Sequence, residues 1–332
     1  MTKRDPYFDV VKALAMLLVV IGHTRWAYRC QAGNPPIDNF IVGMNMPVFF
    51  MISGYFSAKT VREGNWGKLG QHLVGYFWPL AVVSCVFAAL AVLFGMEGSD
   101  KGFIGYAGRN FLFSPWYLWC LAICFVVTFL SVRIPKIPLL ASLIGVYCSL
   151  PFLTGVWHIG NVRAMLPHFV FGMIVLRKWP LWKSRWIGAI CLLAYMIVVV
   201  TSNSFRLNGL SFYNGATEWQ AFFAEPINII FLLIRILLGF VGSVGVMWII
   251  CEIVCQFPRV GIWIAPMGKT TSGVYIWHQW ILARCVEYNP TGTSFVSTLC
   301  FAFVLFVACH FITRALKLTS WSRRIVWGLW WK

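Results

Sequence analysis

Uncharged, mostly apolar runs of about twenty residues recur along the chain, over 39–58, 73–96, 110–132, 137–157, 186–205 and 288–309. Short segments that collect lysine and arginine separate them. A helix of about twenty residues is long enough to cross the hydrocarbon layer of a bilayer. The pattern predicts an all-α, polytopic integral membrane protein with about ten transmembrane helices. They are expected near 8–26, 40–58, 73–95, 113–132, 137–155, 164–177, 186–203, 227–251, 268–285 and 295–313. One transmembrane domain is expected over 1–332. It ends in a tail over about 314–332, where Trp321 and Trp327 alternate with Arg323 and Arg324, suited to lie at the membrane interface. The first run reads as a retained helix, since Asp9 and Lys12 interrupt it and no small-residue cleavage site follows Thr24.

Composition sharpens this reading. Hydrophobic residues make up 60% of the chain and charged residues 11%, with a mean hydropathy of +0.76, far from a soluble domain. A net charge of +17 on a soluble protein would point to nucleic acid; here it marks the loops of one membrane face and no nucleic-acid partner is implied. With the N-terminus inside, eighteen basic residues, among them Lys59, Arg62, Lys68 and Lys183, fall on the cytoplasmic side and seven on the other. Both termini are therefore expected in the cytoplasm. The eleven cysteines lie mostly in spans, and the pairs Cys120/Cys124 and Cys251/Cys255 have no flanking ligand set, so they read as small buried hydrophobes and imply no metal.

The first span also carries chemistry. Asp9, Lys12 and His23 sit inside it, and ionisable groups at membrane depth are costly enough to mark a functional site. Lys12 and His23 are eleven residues apart, close to three turns, which puts them on one face with about 16 Å between them along the axis. Nucleophile elbows, phosphate loops and zinc motifs are absent from the sequence. With ten acidic residues, few of them in spans, a carboxylate-relay transporter is disfavoured. The break at Pro47 also lacks a counterpart half a chain away, as an inverted repeat would require. A secondary transporter and a non-catalytic membrane protein remain the alternative classes. The long polar connection over 201–225 is a candidate lid or acceptor-recognition element.

Four segments, in order, resemble one family. Phe8-Asp9 with Lys12 and His23 is similar to the first-helix signature of the membrane-bound acyltransferase type 3 family, where an arginine precedes a histidine by eleven residues. Asn45-Met-Pro-Val-Phe-Phe-Met-Ile-Ser-Gly-Tyr-Phe56 resembles that family's second-helix element, and Pro115-Trp116-Tyr117-Leu118 the opening of a middle helix. Gly268-Lys-Thr-Thr-Ser-Gly-Val-Tyr-Ile-Trp-His278 resembles its penultimate-helix element. Lys12 departs from the pattern: it keeps the charge but loses the planar two-pronged donor of arginine. The short form resembles the branch of fucose O-acetylases and glucan succinyltransferases.

The resemblance implies an O-acyltransferase of the bacterial inner membrane. It would move an acetyl group, or alternatively a succinyl group, from a cytosolic acyl-coenzyme A to a hydroxyl of a carbohydrate or glycolipid acceptor. Acetyl-CoA would be the co-substrate donor, and membrane lipid the other partner. His23 would be the general base, with Lys12 and Asp9 at the other end of its helix. Lys12, Lys59 and Arg62 would meet the donor's phosphates; a solvated positive-inside loop explains Lys59 and Arg62 equally well. Asn45, Trp116, Tyr117, Arg163, His168 and His278 are acceptor-side candidates, each with a packing or interfacial reading beside it. The topology is checked by cysteine accessibility in a cysteine-free background: a cysteine at position 183 is expected to react only from the cytoplasmic side, and labelling from outside would overturn the orientation.

Overall fold

The computed structural model describes residues 6–28, 35–96, 102–113, 116–134, 144, 159–201, 227–288 and 294–327. All regular structure among them is helical. In chain order the helices are α1 Pro6–Ala27, α2 Pro35–Glu63, α3 Trp66–Leu93, α4 Gly102–Phe113, α5 Trp116–Ser131, α6 Ile159–Phe171, α7 Arg185–Thr201 and α8 Ile227–Gln256. They continue with α9 Pro258–Gly268, α10 Thr271–Tyr288, α11 Phe295–Ala315 and α12 Ser320–Trp327. A π-helical turn, Gly172–Leu176, extends α6.

Five helices are long and apolar enough to cross a bilayer alone, and a sixth span forms if α4 and α5, bent by 57° at their junction, count as one. Two further apolar helices, 161–176 and 185–201, are shorter. Nine of the ten expected spans thus coincide with helices, but not all reach full crossing length; the expected span at 137–155 lies outside the described residues. The distribution of residues is that of a membrane protein. Leu93, Ile104, Ile190 and Val304 face outward, whereas Asp9, Arg25, Ser84, Thr128, His168 and His278 are buried between helices.

α1 is the axle. It packs against α2, α8, α9, α10 and α11. Its apolar residues are therefore buried on every side, Val10, Val11, Ala13, Met16, Val19 and Val20 among them, and no amphipathic stripe is needed. At its first turn the Asp9 backbone approaches Gly268 so closely that a Cβ there would collide with the Asp9 carbonyl. A second close crossing joins α2 to α6. A Cβ at Gly54 would strike the Phe169 carbonyl, and one at Gly172 the Met51 carbonyl. Small residues let helix backbones touch in this way where lipid offers no hydrophobic drive to associate. α12 packs against α3, where the Trp78 indole, midway along that helix, donates to the Ile325 carbonyl at 2.8 Å; Trp321 remains exposed, in keeping with an interfacial tail.

Gly54→Val and Gly172→Val must therefore push two backbones apart, and each is expected to cost about 1–3 kcal/mol or more. Gly75→Ala, on a stretch of α3 with nothing near the new methyl, should be neutral or slightly stabilising. Thermal unfolding of the three purified variants in detergent checks the ordering.

Candidate active site

Two histidines 255 residues apart meet at the α1–α10 contact. His23 Nδ1 and His278 Nε2 are 2.8 Å apart, and the two rings are coplanar to within 2°. His278 is fully buried, with its Nδ1 2.9 Å from the Val274 carbonyl one turn back on α10. His23 is half-buried, and its Nε2 has no hydrogen-bond partner among the described residues. Next to the pair stands Tyr275, whose ring centre is 5.8 Å from that of His278. Its hydroxyl accepts the backbone N–H of Tyr117 at 3.3 Å, and the two tyrosine rings meet edge to face. Tyr117 is thus not an interfacial belt residue. Its ring packs among Phe49 and Phe50 of α2, which ties the start of α5 to the histidine site.

The other end of α1 holds the ion pair Asp9–Lys12, with Nζ to Oδ1 at 2.7 Å. Asp9 is sealed inside, while Lys12 keeps 19% of its side chain exposed. Tyr7, Phe8, Tyr55, Phe56 and Trp182 build an aromatic cluster beside it. The Tyr7 hydroxyl donates to the Met247 carbonyl at 2.7 Å. Along the same helix, then, an enclosed charge pair and an imidazole stand about three turns apart.

Lys59 and Arg62 lie at the end of α2 and are exposed. Glu63 accepts Lys68 of the α3 start at 2.7 Å and pairs with Lys59 at 3.6 Å, so part of the local positive charge is already answered. Asn45 turns its side-chain oxygen onto the next backbone N–H, Met46, at 2.6 Å, just before Pro47. Trp116 is half-buried at the start of α5. Arg163 and His168 are both buried on α6. His168 lies between the carbonyls of Ala164 (2.9 Å) and Ile236 (3.2 Å) and packs on Phe240, an arrangement that joins α6 to α8. A Cβ at Gly239 would invade both His168 and Pro47, so these two groups occupy the space that this glycine leaves. None of Asn45, Trp116, Arg163 or His168 makes a hydrogen bond or ring contact with His23.

One element was not singled out from the sequence. Arg25, two residues past His23, is buried and holds Asp38 of α2 through both carboxylate oxygens, Nε to Oδ1 at 2.6 Å and Nη2 to Oδ2 at 3.1 Å. Its guanidinium also lies 5.1 Å above the Phe295 ring of α11. The signal available was an arginine and an aspartate facing each other across a short connection in a chain with ten acids. A cavity of about 160 Å³ lies between α3, α4 and α10; Ser84, Asn110, Gln279 and Trp280 are in its wall, together with Tyr275, the neighbour of His278.

Comparison with known proteins points one way. A family model described as an acyltransferase domain matches residues 5–316. The chain is 29% identical over 133 residues to the nodulation protein NolL of Sinorhizobium fredii, covering 38% of this chain and 36% of that one. It is 25% identical over 202 residues to the inner membrane protein YcfT of Escherichia coli, covering 52% and 56%. The matches thus span a third to just over half of the length of these relatives. No solved structure matches.

The Arg25–Asp38 geometry makes an ordered prediction. Asp38→Ala strips a buried guanidinium of its carboxylate, whereas Arg25→Met leaves a half-exposed carboxylate that water reaches. The aspartate variant should lose more stability, about 3 kcal/mol. Thermal unfolding of both variants in detergent decides the order.

Proposed function

The chain belongs to the acyltransferase family whose model spans residues 5–316, and we propose that it moves an acetyl group from acetyl-CoA to a hydroxyl of a cell-envelope or exported sugar. His23 is the general base. The observation that carries this reading is a half-buried imidazole with one nitrogen held by His278 and the other without a partner among the described residues, deep in a helix bundle. A hydroxyl is a weak nucleophile near neutral pH and needs such a group within hydrogen-bond reach.

The reaction balances simply. His23 takes the acceptor's hydroxyl proton as the oxygen attacks the thioester carbonyl. The carbon–sulfur bond then breaks, and the proton passes to the departing thiolate to give free coenzyme A and the ester. The donor's charged end would lie toward Lys12, with Lys59 and Arg62 as further phosphate contacts. The thioester would then reach His23 along the roughly 16 Å that separate the two ends of the site on α1. The sugar would approach from the His23 end. The position of Tyr117 beside Tyr275 favours it as a wall of that approach over Trp116, while Asn45, Arg163 and His168 take supporting positions in this scheme. Placement in the bacterial inner membrane with both termini inside is part of the proposal. The name of the YcfT relative and the excess of cations on one side support it.

Purified protein in proteoliposomes, given acetyl-CoA and a panel of sugars, tests the reading. Thioester loss should require both an acceptor and His23, and His23→Ala should reduce the rate about 10²–10⁴-fold while the protein stays folded. Activity only with succinyl-CoA would change the donor and keep the mechanism. Undiminished turnover by His23→Ala would sink the base assignment.

A further inference from the structure

Beyond the identity of the base, the contacts around the histidine pair specify which of its nitrogens reacts. The Val274 carbonyl can only accept, so the His278 Nδ1 that lies 2.9 Å from it carries a proton. An isolated charge between apolar helices is costly, and no carboxylate contacts His278 among the described residues, so the pair is neutral. A neutral imidazole has one N–H. With Nδ1 of His278 protonated, its Nε2 is a bare lone pair. At 2.8 Å that lone pair must receive a proton from His23 Nδ1. His23 then has nothing left to donate from Nε2, and that nitrogen presents its own lone pair.

We infer that His278 is a positioning residue: through the chain Val274 carbonyl, His278, His23 it fixes His23 as the Nδ1–H tautomer and makes Nε2 the proton-accepting atom. This rests on the reading of His23 as general base and deepens it. The unconstrained imidazole divides its population between tautomers and between ring orientations; the pair removes both freedoms, since coplanar rings at hydrogen-bond distance fix the ring plane as well as the proton. The role requires the second histidine to accept, not to carry charge. A glutamine at 278 retains an acceptor oxygen at about the reach of Nε2, alanine removes it, and lysine replaces it with a cation that can only donate.

Two readouts separate this inference from the one beneath it. Solid-state NMR of ring-¹⁵N-histidine protein in bilayers reports the tautomer without any substrate, with His23→Ala and His278→Ala spectra assigning the two rings. The expected wild-type result is a protonated Nδ1 and a bare Nε2 on His23, with both tautomers populated in His278→Ala. Kinetics in proteoliposomes should then give His278→Ala and His278→Lys a kcat about 10²-fold or more below wild type with little change in the KM for acetyl-CoA, and His278→Gln partial recovery. A wild-type His23 protonated on Nε2, or a tautomer unmoved by His278→Ala, would overturn the inference. So would full turnover in a folded His278→Ala. If the tautomer is as inferred but His23→Ala turns over normally, the general-base reading fails, and the catalytic use of the tautomer fails with it.

Discussion

In a bilayer an ionisable or polar side chain is tolerated only where another protein group answers it, and the whole arrangement of this molecule follows from that constraint. Asp9 answers Lys12, Asp38 answers Arg25, His278 answers His23, and the carbonyls of Ala164 and Ile236 answer His168. Three of these four contacts fall on α1, and two of those three reach to another helix. The polar groups therefore do more than mark a site: they fix where α2 and α10 stand around the central helix. Remove the answering group, and the cost is a buried charge or donor left in hydrocarbon, which is larger than anything the contact itself contributes.

The same constraint explains why α1 is central and not peripheral. A helix carrying an aspartate, a lysine, a histidine and an arginine cannot face lipid along those positions, and its remaining residues are nearly all apolar. Surrounding it on all sides with other helices satisfies both demands. Close crossings then become possible where glycine removes the Cβ: Gly268 against the first turn of α1, and Gly54 and Gly172 between α2 and α6. These crossings set the spacing at the Asp9 end of α1 and near Ser53, while the ion pair Arg25–Asp38 and the ring of Phe295 brace the His23 end. A helix held at both ends can keep two chemical groups about three turns apart without either one moving relative to the other.

Much of this was legible from residue order alone. Run length gave the helices, because a membrane span is long and its apolar content is not shared with loops, and α1, α2, α3, α8 and α11 sit close to where the pattern places them. Single-residue chemistry was legible where it contradicted its surroundings, as with His23, Asp9 and Lys12. Pairings were not. The Asp9–Lys12 contact is local and follows from helical spacing, but the meeting of His23 with His278 spans 255 residues and depends on the packing of α10 on α1. Arg25 falls at the end of the first run, where charge counting cannot tell a flanking cation from a buried one. The apolar helices α4 and α9 were missed for a related reason: each is short, 12 and 11 residues, and falls in a stretch read as connection. For Tyr117, residue order leaves an acceptor-side and an interfacial reading side by side, because aromatic residues at a span end often stand at the interface; the contact with Tyr275 places it inward.

Lysine at position 12, where the family resemblance leads one to expect arginine, also becomes understandable at this level. There the ammonium stands 2.7 Å from one oxygen of the Asp9 carboxylate. A guanidinium would present a rigid planar fork with five donors, which demands a bidentate partner or several acceptors around it. An ammonium is a compact charge whose protons can be shared among acceptors in different directions, so Asp9 can neutralise it for burial while part of the Lys12 side chain stays exposed. In the proposed reaction, a point charge of this kind would hold a donor by charge and not by shape. Under the same proposal, orientation of the reacting group would fall to the opposite end of α1, where two coplanar imidazoles supply the directional contact that a lysine does not.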